Sequence, residues 1–147
     1  VATTYEFRAK WGSEGGGSRQ FTFPSELATS PVGGAVYVVD FLGNRILRFG
    51  SDGSYLAKWG GQGSANGEFY SPAHFAVGLD GTVYVGDWSN GRVQAFTEDG
   101  EFVTKRGSMG SESGRFTSMG GIAVSPRCAI YVADIDNDRL QKSCRPY

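Results

Sequence analysis

Val83-Tyr84-Val85-Gly86-Asp87-Trp88-Ser89-Asn90-Gly91-Arg92-Val93-Gln94-Ala95-Phe96 has a pattern that recurs twice more in the chain. Forty-seven residues earlier stands Val36-Tyr37-Val38-Val39-Asp40-Phe41-Leu42-Gly43-Asn44-Arg45-Ile46-Leu47-Arg48-Phe49. Forty-seven residues later stands Ile130-Tyr131-Val132-Ala133-Asp134-Ile135-Asp136-Asn137-Asp138-Arg139-Leu140-Gln141-Lys142-Ser143. A fixed period of about 20–50 residues marks a solenoid, a propeller or an array.

Working outward, the Val-Tyr-Val run reads as one strand and the run from each Arg (Arg45, Arg92, Arg139) as the next. Ser51-Asp52-Gly53 and Glu98-Asp99-Gly100 follow as hairpin turns, for which Asp-Gly is a strong signal. Each leads into a further short strand ended by glycine, Tyr55 to Gly60 and Phe102 to Gly107, and residues 5–12 match these two. A glycine-rich loop comes next and closes on Phe21, Phe69 or Phe116; Pro24, Pro72 or Met119 then precedes another strand. Four short strands in 47 residues, with dense glycine and no apolar period of 3.6, describe a propeller blade rather than a helical repeat. The repeats fall approximately at 13–60, 61–107 and 108–147, with 5–12 as a closing outer strand.

The chain has 147 residues, and the 23 glycines are interrupted by 10 Phe, 7 Tyr and 3 Trp, which excludes collagen and disorder. A net charge of −1, with both signs scattered, removes the electrostatic footprint of a protein devoted to nucleic acid or an anionic membrane. No apolar run is long enough to span a bilayer. The chain opens at Val1 without an initiator methionine, as a processed product or an excised fragment would. Cys128 and Cys144 are brought near each other by the hairpin between Asp134 and Arg139, so a disulfide and an exported, extracellular protein are expected.

The pattern Tyr-Val-x-Asp-x-x-Asn-x-Arg, with a Gly-x-Phe-x-x-Pro lead-in and a Phe-x-x-Asp-Gly exit, resembles the NHL repeat. Asp87, Asn90 and Arg92 fit it, as do Asp134, Asn137 and Arg139. The first copy has Gly43 at the asparagine position, and the third has Met119 for the proline and Ser143 for the aromatic. The resemblance covers nearly the whole chain and implies an all-β fold, a β-propeller of four-stranded antiparallel blades. Three blades cannot close a ring, since propellers have about 4–8. A homodimer of six blades is therefore expected, in which the N-terminal strand of each chain completes the third blade of the other. The alternatives are an open homo-oligomer and a longer chain that supplies the missing repeats.

The Asp40–Arg45, Asp87–Arg92 and Asp134–Arg139 pairs read as turn locks, because a catalytic role seldom needs three copies. The asparagines read as local caps of the same turns. Phe41, Trp88 and Ile135 follow the aspartates as apolar residues on exposed turns, so they are a candidate contact patch or pack beneath the adjacent loops. His74 begins a strand expected to line the central channel as a polar side chain. Arg19, Glu68 and Arg115 read as equivalent loop residues that join Phe41, Trp88, Ile135 and His74 as candidate binding residues, and their mixed charge argues against an RNA-binding face.

Enzyme motifs are weak: there is no Gly-x-Ser-x-Gly elbow and no His-Glu-x-x-His, and one histidine cannot form a His-rich zinc site by itself, although symmetry could duplicate it. No cofactor or metal is expected. The reading is a non-enzymatic binding or assembly module that presents a loop face to a protein or glycan partner and self-associates by strand exchange. A hydrolase or lyase with its site at the channel mouth and an RNA-binding propeller are the alternatives.

Overall fold

β-branched and aromatic residues alternate through each Val-Tyr-Val run, which suits a pleated surface packed on both faces. In the computed structural model, which describes residues 4–127 and 129–144, each run lies inside an antiparallel sheet. Two short strands, β1 (Ser13–Glu14) and β2 (Gln20–Phe21), pair in parallel and pin the first glycine-rich loop. The isolated bridges Gln62–Phe69 and Met109–Phe116 pin the other two loops in the same way. The first sheet is β3 (Pro24–Thr29), β4 (Val36–Asp40), β5 (Arg45–Phe49) and β6 (Tyr55–Gly60), in that spatial order. The second is β7 (Pro72–Val77), β8 (Val83–Asp87), β9 (Arg92–Phe96) and β10 (Phe102–Arg106). The third, among the described residues, is β11 (Met119–Val124), β12 (Ala129–Asp134) and β13 (Arg139–Cys144).

The first strands of the sheets, β3, β7 and β11, adjoin one another, so the sheets are arranged as blades about an inner edge. The register follows the hairpins, from Asp134–Arg139 to Ala129–Cys144 in the last blade. Cys144 is exposed opposite Ala129, and the expected bridge falls partly on Cys128, which lies outside the described residues. Among the described residues no helix is long and apolar enough to cross a membrane.

The core lies between blades rather than within them. Tyr37, Val39 and Ile46 of the first blade pack with Phe69, Phe75, Val83, Val85 and Phe96, and all eight are buried. Tyr84, Val93 and Ala95 of the second pack with Phe116, Met119 and Val132. Each such side chain contributes about 1.5–3 kcal/mol when fully buried, so a blade depends on having a neighbour.

Residues 5–12, expected as a strand, form none in the single chain. A strand needs an edge to pair with, and at this end of the arc no edge faces them.

The buried Asp–Arg pair fixes each glycine-rich loop to its blade. Arg92 Nε donates to Asp87 Oδ2 at 2.7 Å, while its outer nitrogens donate to the carbonyls of Ser64, Ala65 and Glu68 at 2.7–3.0 Å. Asp87 also accepts the Tyr70 amide at 2.7 Å. Arg45 and Arg139 repeat the arrangement, Arg45 on the carbonyls of Gly15, Gly16 and Gln20, and Arg139 on those of Glu112 and Arg115. One pair thus ties together the end of a strand, the turn and a loop about 24–30 residues upstream.

Asn44 donates locally to the Leu42 carbonyl at 3.4 Å, whereas Asn90 and Asn137 bond the turn's aspartate and reach out to the loop. Asn90 donates to Asp87 Oδ2 at 2.9 Å and to the Gly63 carbonyl at 3.0 Å, and Asn137 reaches Asp134 and Thr117 likewise. Gln94 and Gln141, which the sequence reading passed over, add a further layer. Each donates to the aspartate and to a loop carbonyl and accepts a loop amide.

Burial alone would raise the carboxyl pKa of Asp134. Hydrogen bonds from Asn137, the Thr117 amide, Arg139 and Gln141 outweigh it and lower the value from 3.8 to about 2. A depressed carboxylate contributes stability that is complete above its unfolded pKa and is lost as pH falls through the folded one. The stability difference between the native protein and Asp134→Asn should therefore hold above about pH 4 and shrink towards zero between about pH 4 and 2, read by chemical denaturation. Arg92→Ala, which strands a buried carboxylate, should cost about 3–5 kcal/mol. Arg139→Ala should cost less, because its side chain is 28% exposed against 7% for Arg92.

Candidate functional site at the loop face

The turns after β4, β8 and β12 and the glycine-rich loops come together at one end of the blades. Among the described residues, the second and third turns are single 3₁₀ turns, Trp88–Asn90 and Ile135–Asn137. Each ends on a residue in the left-handed region: Gly91 at φ 62° and Asp138 at φ 49°. Asn44 occupies this position in the first blade, with φ 51°, which explains the inverted Gly43-Asn44 order there. Its Oδ1 accepts the Ser71 amide and so links the first blade to the second.

The charged motif residues on this face are committed to the loops, and the side chains left for a ligand are mostly apolar. Trp88 is 40% and Ile135 55% exposed. Trp88 Nε1 reaches Ser118 Oγ at 3.3 Å, leaving the ring over the segment that leads into the third blade. Ile135 lies over Gly120. Phe41 is half-buried and meets the exposed Phe23 edge-on, with ring centroids 6.1 Å apart. The three residues after the aspartates therefore stand one to a blade, and Phe41 alone lies in the cleft described next.

Phe23 and Phe41 wall a shallow cleft whose other side holds Glu26 and His74. The same irregularity of register occurs on the inner strand of each blade, at Ser25, Ala73 and Gly120. Such a bulge re-aims the next side chain. It places Glu26 of β3 and His74 of β7 at matching positions on adjacent inner strands, with Glu26 Oε2 3.3 Å from His74 Nδ1. Burial raises the pKa of the Glu26 carboxyl above 4.5, against the opposing attraction of His74. Glu26 Oε2 is shielded from solvent and accepts no well-aligned hydrogen bond.

Arg19, Glu68 and Arg115 are not equivalent. The carbonyls of Gln20, Glu68 and Arg115 accept from Arg45, Arg92 and Arg139 respectively, so Gln20 is the counterpart and Arg19 precedes it. Gln20, Glu68 and Arg115 each directly precede the phenylalanine that closes the loop. Glu68 accepts the Ala65 amide at 3.1 Å within its own loop, and Arg115 pairs with Glu112 at 3.1 Å. Arg19 is exposed. Among the described residues no cluster of three His, Cys, Asp or Glu side chains could hold a metal.

No protein-family model and no curated protein sequence matches the chain. Solved structures do. A streptogramin B lyase is similar at 14% identity over 84% of this chain and 41% of its own, with a TM-score of 0.61. An auxiliary nutrient binding protein from Bacteroides thetaiotaomicron is similar at 19% identity over 79% of this chain and 36% of its own, TM-score 0.60. A gluconolactonase from Xanthomonas campestris is similar at 17% identity over 78% and 36%, TM-score 0.55. Such likeness shows the fold: a β-propeller built from four-stranded antiparallel blades. The chain spans well under half the length of each of these proteins.

Trp88→Ser should leave stability nearly unchanged, because the ring is 40% exposed and its loss opens no sealed cavity. Thermal unfolding checks this; a loss of about 3–5 kcal/mol would make Trp88 a core residue instead of a surface one.

Proposed function

We propose that the chain is a binding and assembly module, an NHL-like propeller that offers its loop face to a protein or glycan ligand and self-associates to complete its ring. The observation that carries this reading is the division of labour on that face. Its Asp, Arg, Asn and Gln side chains are spent on the loops, while Trp88, Ile135 and the Phe23–Phe41 pair are left to solvent. Exposed aromatic rings beside a few polar groups suit apolar or sugar-ring contact. An extracellular setting belongs to the same reading and rests on the expected Cys128–Cys144 bridge. Binding to arrayed glycans and to displayed peptides tests the ligand face. Trp88→Ser should lower the signal roughly tenfold, the loss of about 1.4 kcal/mol. Undiminished binding by that variant would remove the face from the account.

Glu26 and His74 favour a second reading, a lyase or hydrolase at the channel mouth. A carboxyl of raised pKa beside an imidazole, in an aromatic-walled cleft, is a candidate acid–base pair. Two of the similar structures are a streptogramin B lyase and a gluconolactonase, so those two substrates are the first to assay. Turnover abolished by both His74→Ala and Glu26→Gln would establish this reading. Its absence with both substrates would leave the binding module.

A further inference from the structure

Both ends of the arc are faces from which a neighbour is missing. Leu140 on β13 is 78% exposed, whereas its counterparts Ile46 and Val93 are 0% and 4% exposed. Tyr131 on β12 is 38% exposed, against 0% and 2% for Tyr37 and Tyr84. At the other end Leu27 on β3 is 67% exposed, while Phe75, its counterpart on β7, is 4% exposed. Apolar side chains that a blade covers in one copy and water covers in another mark an interaction surface.

The N-terminal segment indicates what covers it. Trp11 rests on Phe49 and Gly53, with ring centroids 6.2 Å apart, as Trp59 rests on Phe96 and Gly100 at 5.9 Å. Gly12 has φ +99°, like Gly60 at +116° and Gly107 at +94°, and each lies against the ring of the next loop phenylalanine. Trp11 and Gly12 thus sit against the first blade as Trp59 and Gly60, the end of an outermost strand, sit against the second. At the far end of the arc, β13 is the third strand of a sheet that has no fourth among the described residues.

We propose that a second copy of this chain lays its segment Tyr5–Gly12 antiparallel along β13, and that two copies do so reciprocally about a twofold axis to close a six-bladed ring. The proposal deepens the self-association reading and rests on it. The β5–β6 pairing, with Phe49 opposite Tyr55 and Ile46 opposite Trp59, supplies the register. It sets the partner's Phe7 opposite Ser143 and the partner's Trp11 opposite Leu140.

A cavity of about 290 Å³ lies between the second and third blades, lined in part by Tyr84, Arg106, Phe116, Val132 and Ser143. In the joint before it, Trp59, Phe96 and Phe102 fill the corresponding space. Arg106 and Ser143 replace the first two, and the partner's Phe7 supplies a ring at the position of the third. Within its own chain Phe7 is 80% exposed. Charge agrees with this seat. Arg48 lies over Tyr37 at 5.7 Å and pairs with Glu98 and Asp99 of the next blade at 2.9 and 2.8 Å. Lys142 lies over Tyr131 at 5.8 Å in the same way, and the residues matching Glu98 and Asp99 in the following blade are the partner's Ser51 and the partner's Asp52. In this arrangement each copy offers Tyr5–Gly12 and an open β13 edge among the described residues, so one kind of partner satisfies both ends.

Native mass spectrometry and sedimentation of the full chain, from nanomolar to micromolar, test the proposal. The expected result is a species of two chains. Phe7→Ser, which removes no contact of the core, should weaken association roughly tenfold or more. Lys142→Glu should weaken it too, and Lys142→Glu combined with Asp52→Lys should recover it. A folded monomer at micromolar concentration would overturn both the strand exchange and the self-association reading. A dimer indifferent to Phe7→Ser and Lys142→Glu would overturn the strand exchange alone, and a ladder of masses would overturn the closed ring.

Discussion

The architecture depends on the buried ion pair between the aspartate that ends one strand and the arginine that begins the next. Glycine-rich loops have high conformational entropy and little side-chain surface to bury, so packing alone cannot hold them. The guanidinium solves this by spreading its donors over two or three loop carbonyls while Nε binds the carboxylate. The carboxylate, with its remaining lone pairs, gathers the amides that lead into the inner strand. Desolvating both charges is tolerable because each is met by several hydrogen bonds. The loop face is therefore stiff where it is polar, and the apolar residues on it are carried on a fixed support.

Packing between blades is the second constraint, and it makes the chain's two ends unlike its middle. Rings at Tyr37, Trp59, Phe69, Phe96 and Phe102 fill the first joint. In the second, Arg106 and Ser143 leave a cavity. The sequence departs from its own repeat beside the sheet that shows three strands among the described residues, and the strand addition proposed above would account for both facts together. A shared cause is a simpler explanation than two independent defects.

The period of 47 residues made the strands, the hairpin register and the propeller class legible in advance, because each blade repeats the same alternation and turn chemistry. The Asp and Arg positions were legible as a lock, but their targets were not. Loop carbonyls carry no residue identity, so Arg92 gives no hint that it holds Ser64, Ala65 and Glu68. Gln94, inside the mostly apolar strand Arg92–Phe96, is a usable signal in the sequence, whereas Gln141, beside Lys142 and Ser143, carries none. Glu26 escaped notice because a one-residue bulge sets it against His74, and a strand read with strict alternation contains no bulge. Residues 5–12 match the outer-strand pattern, yet a strand forms only against an edge, and among the described residues none faces them at their end of the arc.

Amide hydrogen exchange at residues 5–12 and along β13 tests the completed ring most directly, since edge amides exchange quickly unless another strand covers them. At micromolar concentration both segments should be protected to the degree seen in β6 and β9, and both should lose that protection together on dilution. Fast exchange in both at every concentration, with β6 and β9 still protected, would contradict the account.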